Sequence, residues 1–201
     1  MINNTPPDLA WPRHLDENLR KIWHRAVILE YLALWEDDVT EAMFTPATNA
    51  QITALEADIG CQLPIALKHY HQIFGVLELG ERLNSLNVQD DDYRIAPLLD
   101  AYPGIVDMAL TETEMDLVKN LIVFGDYLGN GNMWCFHRQS QKIYYFDHDS
   151  APQLTLFFDD CEQYLDALMI RSLAEIHDDD DAGEKVLAEK IDKKLIKKWL
   201  Y

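Results

Sequence analysis

The spacing of apolar residues along the chain changes near residue 75 from a helical to a strand-like pattern. Up to that point apolar residues recur every three or four positions, which is typical of amphipathic helices. Thr48 and Gln51 form a capping box, which marks a helix N-terminus. The pattern predicts three helices: Leu15 to Trp35, a second that begins at Thr48 and ends at Gly60, and a third from Pro64 to Gly75.

After residue 75 the pattern predicts a series of strands. They are VLELGERLNSLNV, YRIAPLL, NLIVFG, MWCFH, KIYYFD and LTLFF, with a short helix capped by Thr111 and Glu114 before the third. Glycines and asparagines between Asp126 and Met133 predict a tight hairpin connection. A phosphate-binding loop is disfavoured there, because a strand and not a helix follows it.

Two further helical segments are predicted towards the C-terminus. Asp159 and Glu162 are expected to cap a helix whose apolar side extends to Ile176. The stretch HDDDDAGE is expected to be a flexible spacer. Beyond it, six lysines flank one apolar stripe from Val186 to Leu200, which is typical of a basic amphipathic helix. Such a helix binds an anionic membrane or an acidic protein surface, and the acidity of the preceding chain favours the second.

The composition is that of a globular protein with strong acidity. Hydrophobic residues make up 48% and charged residues 26% of the 201 positions. Lys and Arg number 17 against 35 Asp and Glu, a formal net charge of −18. Residues 1–170 carry 10 basic and 27 acidic side chains, a difference of −17, so the last 31 residues are nearly balanced. A surface of this kind repels nucleic acid and anionic membranes and attracts basic partners.

Several features indicate a soluble, cytoplasmic protein. The N-terminal stretch lacks the basic and apolar segments of a signal peptide, and no apolar run is long enough to cross a bilayer. Cys61, Cys135 and Cys161 are odd in number and lack CxxC spacing. Because each lies among apolar residues, we expect small, reduced core cysteines.

No residue set typical of an enzyme emerges, so we expect no catalytic residues and no cofactor. None of the four serines lies in a G-x-S-x-G elbow. Asp147, His148 and Asp149 could ligate a metal or act as acid and base. Neighbouring side chains on an extended strand point to opposite faces, so only Asp147 and Asp149 are expected to converge, and the alternative is that these are solvated turn residues. A metal-dependent hydrolase using Asp126, Asp147 and His148 is the less favoured functional alternative.

The stretch ITALEADIGCQLPIALKHYHQIFG resembles the opening of the SUKH superfamily, which includes yeast Smi/Knr regulators and many bacterial immunity proteins. Later stretches resemble the family as well: Phe124 to Asp126 with the glycine turn, IYYFDHD, and FFDDCEQYLDAL. The resemblance covers roughly Ala47 to Ile170, and the segment from Asp90 to Leu110 fits no family pattern. The matching residues of the opening are Glu56, Gly60, Leu63, Pro64 and Gly75.

The resemblance implies an α+β fold with a largely antiparallel sheet flanked by helices. We predict an N-terminal helical extension over residues 1–46 and a SUKH-like domain over residues 47–176. Residues 177–201 are predicted to be an acidic spacer followed by the basic amphipathic helix. The N-terminal helix and the C-terminal apolar stripe are candidate interfaces of a homodimer.

The resemblance also implies a non-enzymatic antidote that binds a cognate toxin C-terminal domain. An acidic antidote suits a basic, nuclease-type toxin, and we expect no nucleic-acid or membrane partner. The alternative is an intracellular regulatory scaffold that binds several host proteins. Tyr127 or Trp134 could anchor the toxin, although Trp134 fits a packed sheet residue better. The predicted toxin-binding residues are Asp90, Asp91, Asp92, Asp126, Tyr127, Asn130, Asn132, Asp147 and Asp149.

Overall fold

The structure is a computed structural model that describes residues 6–12, 16–36, 44–76, 79–80, 82–86, 94–126 and 130–200. Its contacts divide the chain into two compact units. Unit one combines Met1–Met43 with Tyr164–Tyr201, and unit two is Phe44–Gln163. The limits drawn from the sequence at residues 46 and 176 stay a prediction.

Two helices open unit two, and both helix boundaries predicted from the sequence are confirmed. Helices α2 and α3 span Asn49–Ile59 and Ile65–Ile73. The Thr48 hydroxyl accepts from the Gln51 N–H at 3.2 Å, and the Gln51 side chain accepts from the Thr48 N–H at 2.9 Å, so the capping box is complete. Gly60 ends α2 with a φ of +67°.

Glu56, the glutamate that precedes the Leu-Pro pair in the motif, has a structural role. Its carboxylate accepts from the Leu63 N–H at 2.9 Å and lies 2.7 Å from the Lys68 ammonium. One side chain of α2 therefore holds both the connection to α3 and the first turns of α3. Charge-assisted bonds of this kind are stronger than neutral ones, which suits a fixed corner between two helices.

The sheet of unit two has six strands among the described residues, in the order β1-β3-β4-β5-β6 with β2 beside β1 on β3. The strand pairs among the described residues are antiparallel, which confirms the expected α+β fold. The strands are β1 Arg82–Leu83, β2 Ala96–Pro97, β3 Leu121–Asp126, β4 Met133–His137, β5 Ile143–Phe146 and β6 Leu154–Phe158. Between β2 and β3 lie helix α4 (Leu98–Ala101), a 3-10 helix (Pro103–Asp107) and helix α5 (Glu112–Val118).

The first two predicted strands are much shorter than expected. Only Arg82–Leu83 of the first stretch is a strand among its described residues. In YRIAPLL the strand is limited to Ala96–Pro97, and α4 begins directly after it. Pro97 accounts for this end, because proline lacks the N–H that a longer ladder needs and its fixed φ suits a helix start. The predicted short helix and the later strands are confirmed.

Both faces of the sheet are buried. On one face Val123, Cys135 and Phe146 pack in a cluster with Leu98 and Val118 from the flanking helices. The opposite face carries an aromatic layer. Its centre is Trp134, whose ring lies 4.7 Å from Tyr145, 5.0 Å from Phe157 and 5.8 Å from Phe158 between centroids. Trp134 is fully buried, so the packed interpretation of this residue is confirmed.

The fully buried imidazole of His71 makes the stability of unit two sensitive to acid. Burial lowers the pKa of His71 from 6.5 to about 4, and the backbone of Gly75 only partly offsets this. Between those pH values the unfolded chain binds a proton that the folded chain does not. Stability is therefore complete above pH 6.5 and is lost as the pH falls towards 4, by about 2–3 kcal/mol.

Urea unfolding from pH 7.5 to 4 measures this loss. A His71→Phe variant keeps an aromatic ring but has no group to titrate, so its stability should fall less over the same range. Equal slopes for the two proteins would contradict the assignment to His71.

Unit one contains α1 (Glu17–Leu32), most of α6 (Cys161–Ile176), α7 (Asp180–Leu187) and α8 (Lys193–Leu200). Three expectations for this part of the chain are wrong. Asp160, not Asp159, caps α6, since it accepts from the Gln163 N–H at 2.9 Å. The acidic stretch is no spacer, because Asp179 caps α7 within it. The basic segment forms two helices with a break at 188–192, not one.

Asp166 joins α1 to α6 within unit one. It is buried, as is His24, whose Nε2 lies 2.9 Å from the Asp166 carboxylate. The Arg20 Nε donates to the same carboxylate at 3.2 Å. Tyr31, further along α1, donates its hydroxyl proton to Glu175 at 3.0 Å.

The N-terminal segment also contacts the C-terminal helices. The Trp11 ring N–H donates to the Val186 carbonyl, and the Lys190 ammonium lies 4.4 Å from the centre of the Trp11 ring. Nearby, Nε2 of His177 is 2.9 Å from the Pro7 carbonyl oxygen. The two extensions predicted as separate segments therefore pack together in one helical unit.

Candidate functional site

The ends of three neighbouring strands bring most of the described candidate residues together. The register places Asp126, the last residue of β3, opposite Met133, the first of β4, and Met133 opposite Phe146, the last of β5. The chain segments after β3, before β4 and after β5 therefore lie together at one end of these strands. We call this end of the sheet the acidic edge. Asp126, Asn130, Asn132, Asp147 and Asp149 lie on or beside this edge. Asp90, Asp91, Asp92 and Tyr127 lie outside the described residues.

The structure describes residues 130–132 of the connection between β3 and β4, and the rest of the predicted tight hairpin lies outside the described residues. The Asn130 side chain accepts from the Asn132 N–H at 2.8 Å, which stabilises the turn locally. Gly131 has a φ of +90°, and a Cβ there would lie 2.9 Å from Cε1 of His148. Glycine is needed for two reasons, the left-handed backbone and the close approach of His148.

Asn132 links this turn to the one that follows β5. Its Oδ1 accepts from the backbone N–H of His148 at 3.1 Å and lies 3.0 Å from Nδ1 of the same residue. Because an amide oxygen only accepts, the second bond requires the proton on Nδ1. On the other side of the ring, Nε2 lies 3.2 Å from the Asp149 carboxylate. His148 is thus held between Asn132 and Asp149, which joins the described part of the β3–β4 connection to the turn after β5.

Asp147 and Asp149 do not share an environment, which corrects the expectation that their side chains converge. Asp147 is only 6% exposed, and its carboxylate accepts from the N–H groups of Asp149 (3.0 Å) and Ser150 (3.1 Å) and from the Ser150 hydroxyl. The Asp149 side chain is 78% exposed. The alternation assumed for a strand ends at Phe146, where the chain turns. Asp147 shapes the turn, and Asp149 faces solvent.

Among the described residues, no group of three or more His, Cys, Asp or Glu side chains is placed to hold a metal ion. Asp126, Asp147 and His148, the residues of the hydrolase alternative, therefore form no such group. No helix within the described part of the chain has the length and apolar character of a bilayer-spanning segment.

Sequence reasoning missed a small cleft beside Asp126. Asn84, Arg94 and Asp100 line it together with Asp126 and Met133. A polar Asn84 inside an apolar strand pattern was the available signal, since such residues are unusual at buried positions. Nothing in the sequence marked Asp100, because only the fold of α4 brings it to the end of β3.

A family model matches more than half of the chain. The model of the SMI1 / KNR4 family (SUKH-1) matches residues 46–167, which include both helices of the opening motif and all six strands. The resemblance read from the sequence is thereby confirmed. No curated protein and no solved structure gives a match.

Proposed function

The chain belongs to the SMI1 / KNR4 family (SUKH-1), and we propose that it is a non-enzymatic immunity protein. In this proposal it acts in the cytoplasm, where it binds the C-terminal domain of a cognate secreted toxin and blocks it. The proposed toxin is a basic, nuclease-type domain. The acidic edge formed by the ends of β3, β4 and β5 is the proposed contact surface.

One observation supports the proposal beyond family membership: the described residues of this edge carry acidic side chains beside hydrogen-bonded turns. Asp126 is fixed by the β3–β4 register, and Asp149 is exposed next to a turn that Asp147 and Asn132 hold in place. Preorganised groups lose little conformational entropy on binding, which favours a tight protein interface. Catalysis would instead need a nucleophile, a base or a metal within reach of one another.

The charge of the chain supports a basic partner. With a formal net charge of −18, the protein attracts basic surfaces from a distance and speeds their encounter. A nuclease must present a basic groove to bind its nucleic acid substrate. An acidic edge that covers this groove would both recognise the toxin and exclude its substrate. The acidic loop Asp90–Asp92 and Tyr127 belong to the same proposal.

A tagged pull-down from the native host at moderate salt, read by mass spectrometry, tests the proposal. We expect one stoichiometric partner with a large secreted-type body and a small basic C-terminal domain. Several weakly bound host proteins would favour the regulatory scaffold, the alternative role. A melting temperature that rises on adding divalent ions would favour the metal-dependent hydrolase.

Reversing one exposed charge on the edge should slow association. In Asp149→Lys we expect the association rate constant for the captured toxin domain to fall about tenfold at low salt, with a weaker salt dependence. Asp58→Lys is the matched control, because Asp58 is exposed on α2 and the change in net charge is the same. Stopped-flow kinetics measures both. Equal rates for the two variants would exclude Asp149 from the interface.

A homodimer stays part of the proposal. On α1, the apolar side chains of Leu19 and Ile22 are 47% and 64% exposed, which is typical of a helix face that binds another protein. Light scattering of the purified chain over a range of concentrations decides between monomer and dimer.

A further inference from the structure

The two outermost sides of the sheet in unit two differ in the length of the strands that border them. On one side β3 is flanked by β1 and β2, which have two residues each. The opposite side ends with β6, which has five residues, and no strand within the described part of the chain pairs with its outer side. Very short strands limit pairing with further chains, whereas a longer border strand can pair with an added strand.

The hydrogen-bond register shows which backbone groups of β6 point outwards. The Asp147 N–H donates to the Gln153 carbonyl oxygen at 2.9 Å, so these two residues form a hydrogen-bonded pair. Bonded and non-bonded pairs alternate along an antiparallel ladder, and Thr155 lies two positions after Gln153. Thr155 therefore bonds to β5, while the N–H and C=O groups of Leu154 and Leu156 point away from β5.

The sequence of β6 lacks the features that commonly protect a border strand. LTLFF contains no charged residue and no proline, although both are common means by which proteins prevent unwanted pairing. The register shift of the β5–β6 pair lies beyond Leu156, so the first three residues of β6 are regular. Leu156 is 43% exposed. An extended segment that pairs with β6 would bond to the outward backbone groups and cover this side chain.

The charges beside β6 indicate the sign of the partner. Asp149 before the strand and Asp159 and Asp160 after it are exposed, and Lys142 offsets one of these charges by pairing with Asp159 at 3.0 Å. Strand β6 also begins at the acidic edge, because its first residue lies opposite the last residue of β5. A second copy of this chain, with its own net charge of −18, would be repelled, whereas a basic strand would be attracted.

We propose that the outer side of β6 pairs with an extended strand of the toxin domain, and that basic residues flank this strand. Main-chain hydrogen bonds to Leu154 and Leu156 supply affinity, and an apolar side chain of the added strand covers Leu156. The flanking basic residues face Asp149 at one end of β6 and Asp160 at the other. This proposal rests on the proposed function, since the toxin domain supplies the strand, and it extends the contact surface from the acidic edge along β6.

Amide hydrogen exchange, followed by NMR on the full chain, tests the pairing without a toxin. In the free chain the Leu156 amide should exchange about tenfold or more faster than the Thr155 amide, because only the second bonds to β5. The probe is a short peptide of alternating valine and threonine with a lysine at each end. At saturation it should slow exchange at Leu156 about tenfold or more and change exchange at Thr155 less than about twofold. Equal exchange of the two amides in the free chain, or no effect of the probe, overturns the proposal.

Two further peptides separate backbone pairing from charge. Prolines at the centre of the probe remove N–H donors there, so this peptide should leave exchange at Leu156 unchanged. Glutamate in place of both lysines should weaken binding about tenfold or more at low salt. A proline peptide as effective as the probe would show that the contact is not a paired strand. A glutamate peptide that binds as tightly would show that the site does not select a basic partner.

A lysine in the middle of β6 should oppose the added strand. In Leu156→Lys we expect the affinity for the captured toxin domain to fall about tenfold or more, because a charge replaces the apolar contact and repels the basic flanks. Ile65→Lys is the matched control, since Ile65 is 73% exposed on α3 and the change in charge is the same. Equal affinities of the two variants would contradict pairing at β6.

The outcomes separate this proposal from the proposed function. If a toxin domain is captured and Leu156→Lys binds it as tightly as Ile65→Lys does, the strand proposal is overturned and the immunity role stands. If no toxin domain is captured while the probe protects the Leu156 amide, the immunity role fails and the pairing capacity of β6 stands. If light scattering shows a dimer that Leu156→Lys abolishes, the occupant is a second copy of the chain and the strand proposal is wrong.

Discussion

Replacing Gly75 with alanine is expected to lower the free energy of unfolding by about 3–4 kcal/mol. Gly75 has a φ of +75°, and a Cβ built there lies 2.1 Å from the backbone oxygen of Thr45. Because backbone atoms cannot move aside as a flexible side chain does, the segment that contains Thr45 must shift. That shift would break the bond from the Thr45 N–H to Phe74 and the one from the Ala47 N–H to His71.

Gly60→Ala is the matched control for this experiment. Gly60 has a similar φ of +67°, but a Cβ there would have only the Arg138 side chain within range, at 3.5 Å. The free energy of unfolding of Gly60→Ala should therefore fall only by the cost of placing alanine in a left-handed backbone conformation, about 1 kcal/mol. Urea denaturation of both variants separates strain from steric clash. Equal losses at the two glycines would show that the chain near Thr45 does not need its close approach to Gly75.

Asp166→Ala is expected to destabilise the protein by about 3–5 kcal/mol. The substitution removes the carboxylate that His24 and Arg20 share, and it leaves the buried His24 imidazole without that partner. The loss should appear in thermal unfolding and as faster hydrogen exchange in α1, because Asp166 links α6 to the half of α1 that contains Arg20 and His24. Removing one partner of a buried ion pair is strongly destabilising even where the intact pair contributes little to the free energy of unfolding, because the other partner stays buried without it.

Asp159→Ala is the comparison for Asp166→Ala. Asp159 also forms an ion pair, with Lys142 at 3.0 Å, but their side chains are 72% and 42% exposed. Exposed pairs contribute little, so we expect a loss below about 1 kcal/mol. If Asp166→Ala were equally mild, the packing of α1 on α6 would not depend on this link.

Local signals in the sequence predicted the helices and most of the sheet well. The two capping boxes and the glycine at the end of α2 could be recognised in the sequence, because each depends on hydrogen bonds between residues only a few positions apart. The strands β3 to β6 carry long apolar runs because both faces of the sheet are buried. Errors occurred where the decisive contact is distant along the chain. Residues 177–201 were predicted to be a spacer and one helix, but Gly183 packs against Ala174 of α6 and α7 forms there.

The candidate site was predictable only in part for the same reason. Register along β3, β4 and β5 brings the two turns together, and the sequence shows both turns with their glycine and acidic residues. The role of Asp147 could not be predicted from the sequence. Its carboxylate accepts hydrogen bonds from the backbone of Asp149 and Ser150, which requires the strand to end at Phe146 and the chain to turn there. Asn84 and Asp100 line a cleft with Asp126 because β1 and β2 both pair with β3, and no short-range pattern in the sequence predicts that pairing.

Inhibition of the captured toxin domain by this chain tests the central claim most directly. The isolated domain is assayed for cleavage of nucleic acid while the purified chain is added in steps. We predict that activity falls to zero at one equivalent, and that Asp149→Lys shifts the titration to a higher concentration. A toxin domain that binds the chain at one equivalent and still cleaves at full rate would contradict the immunity role.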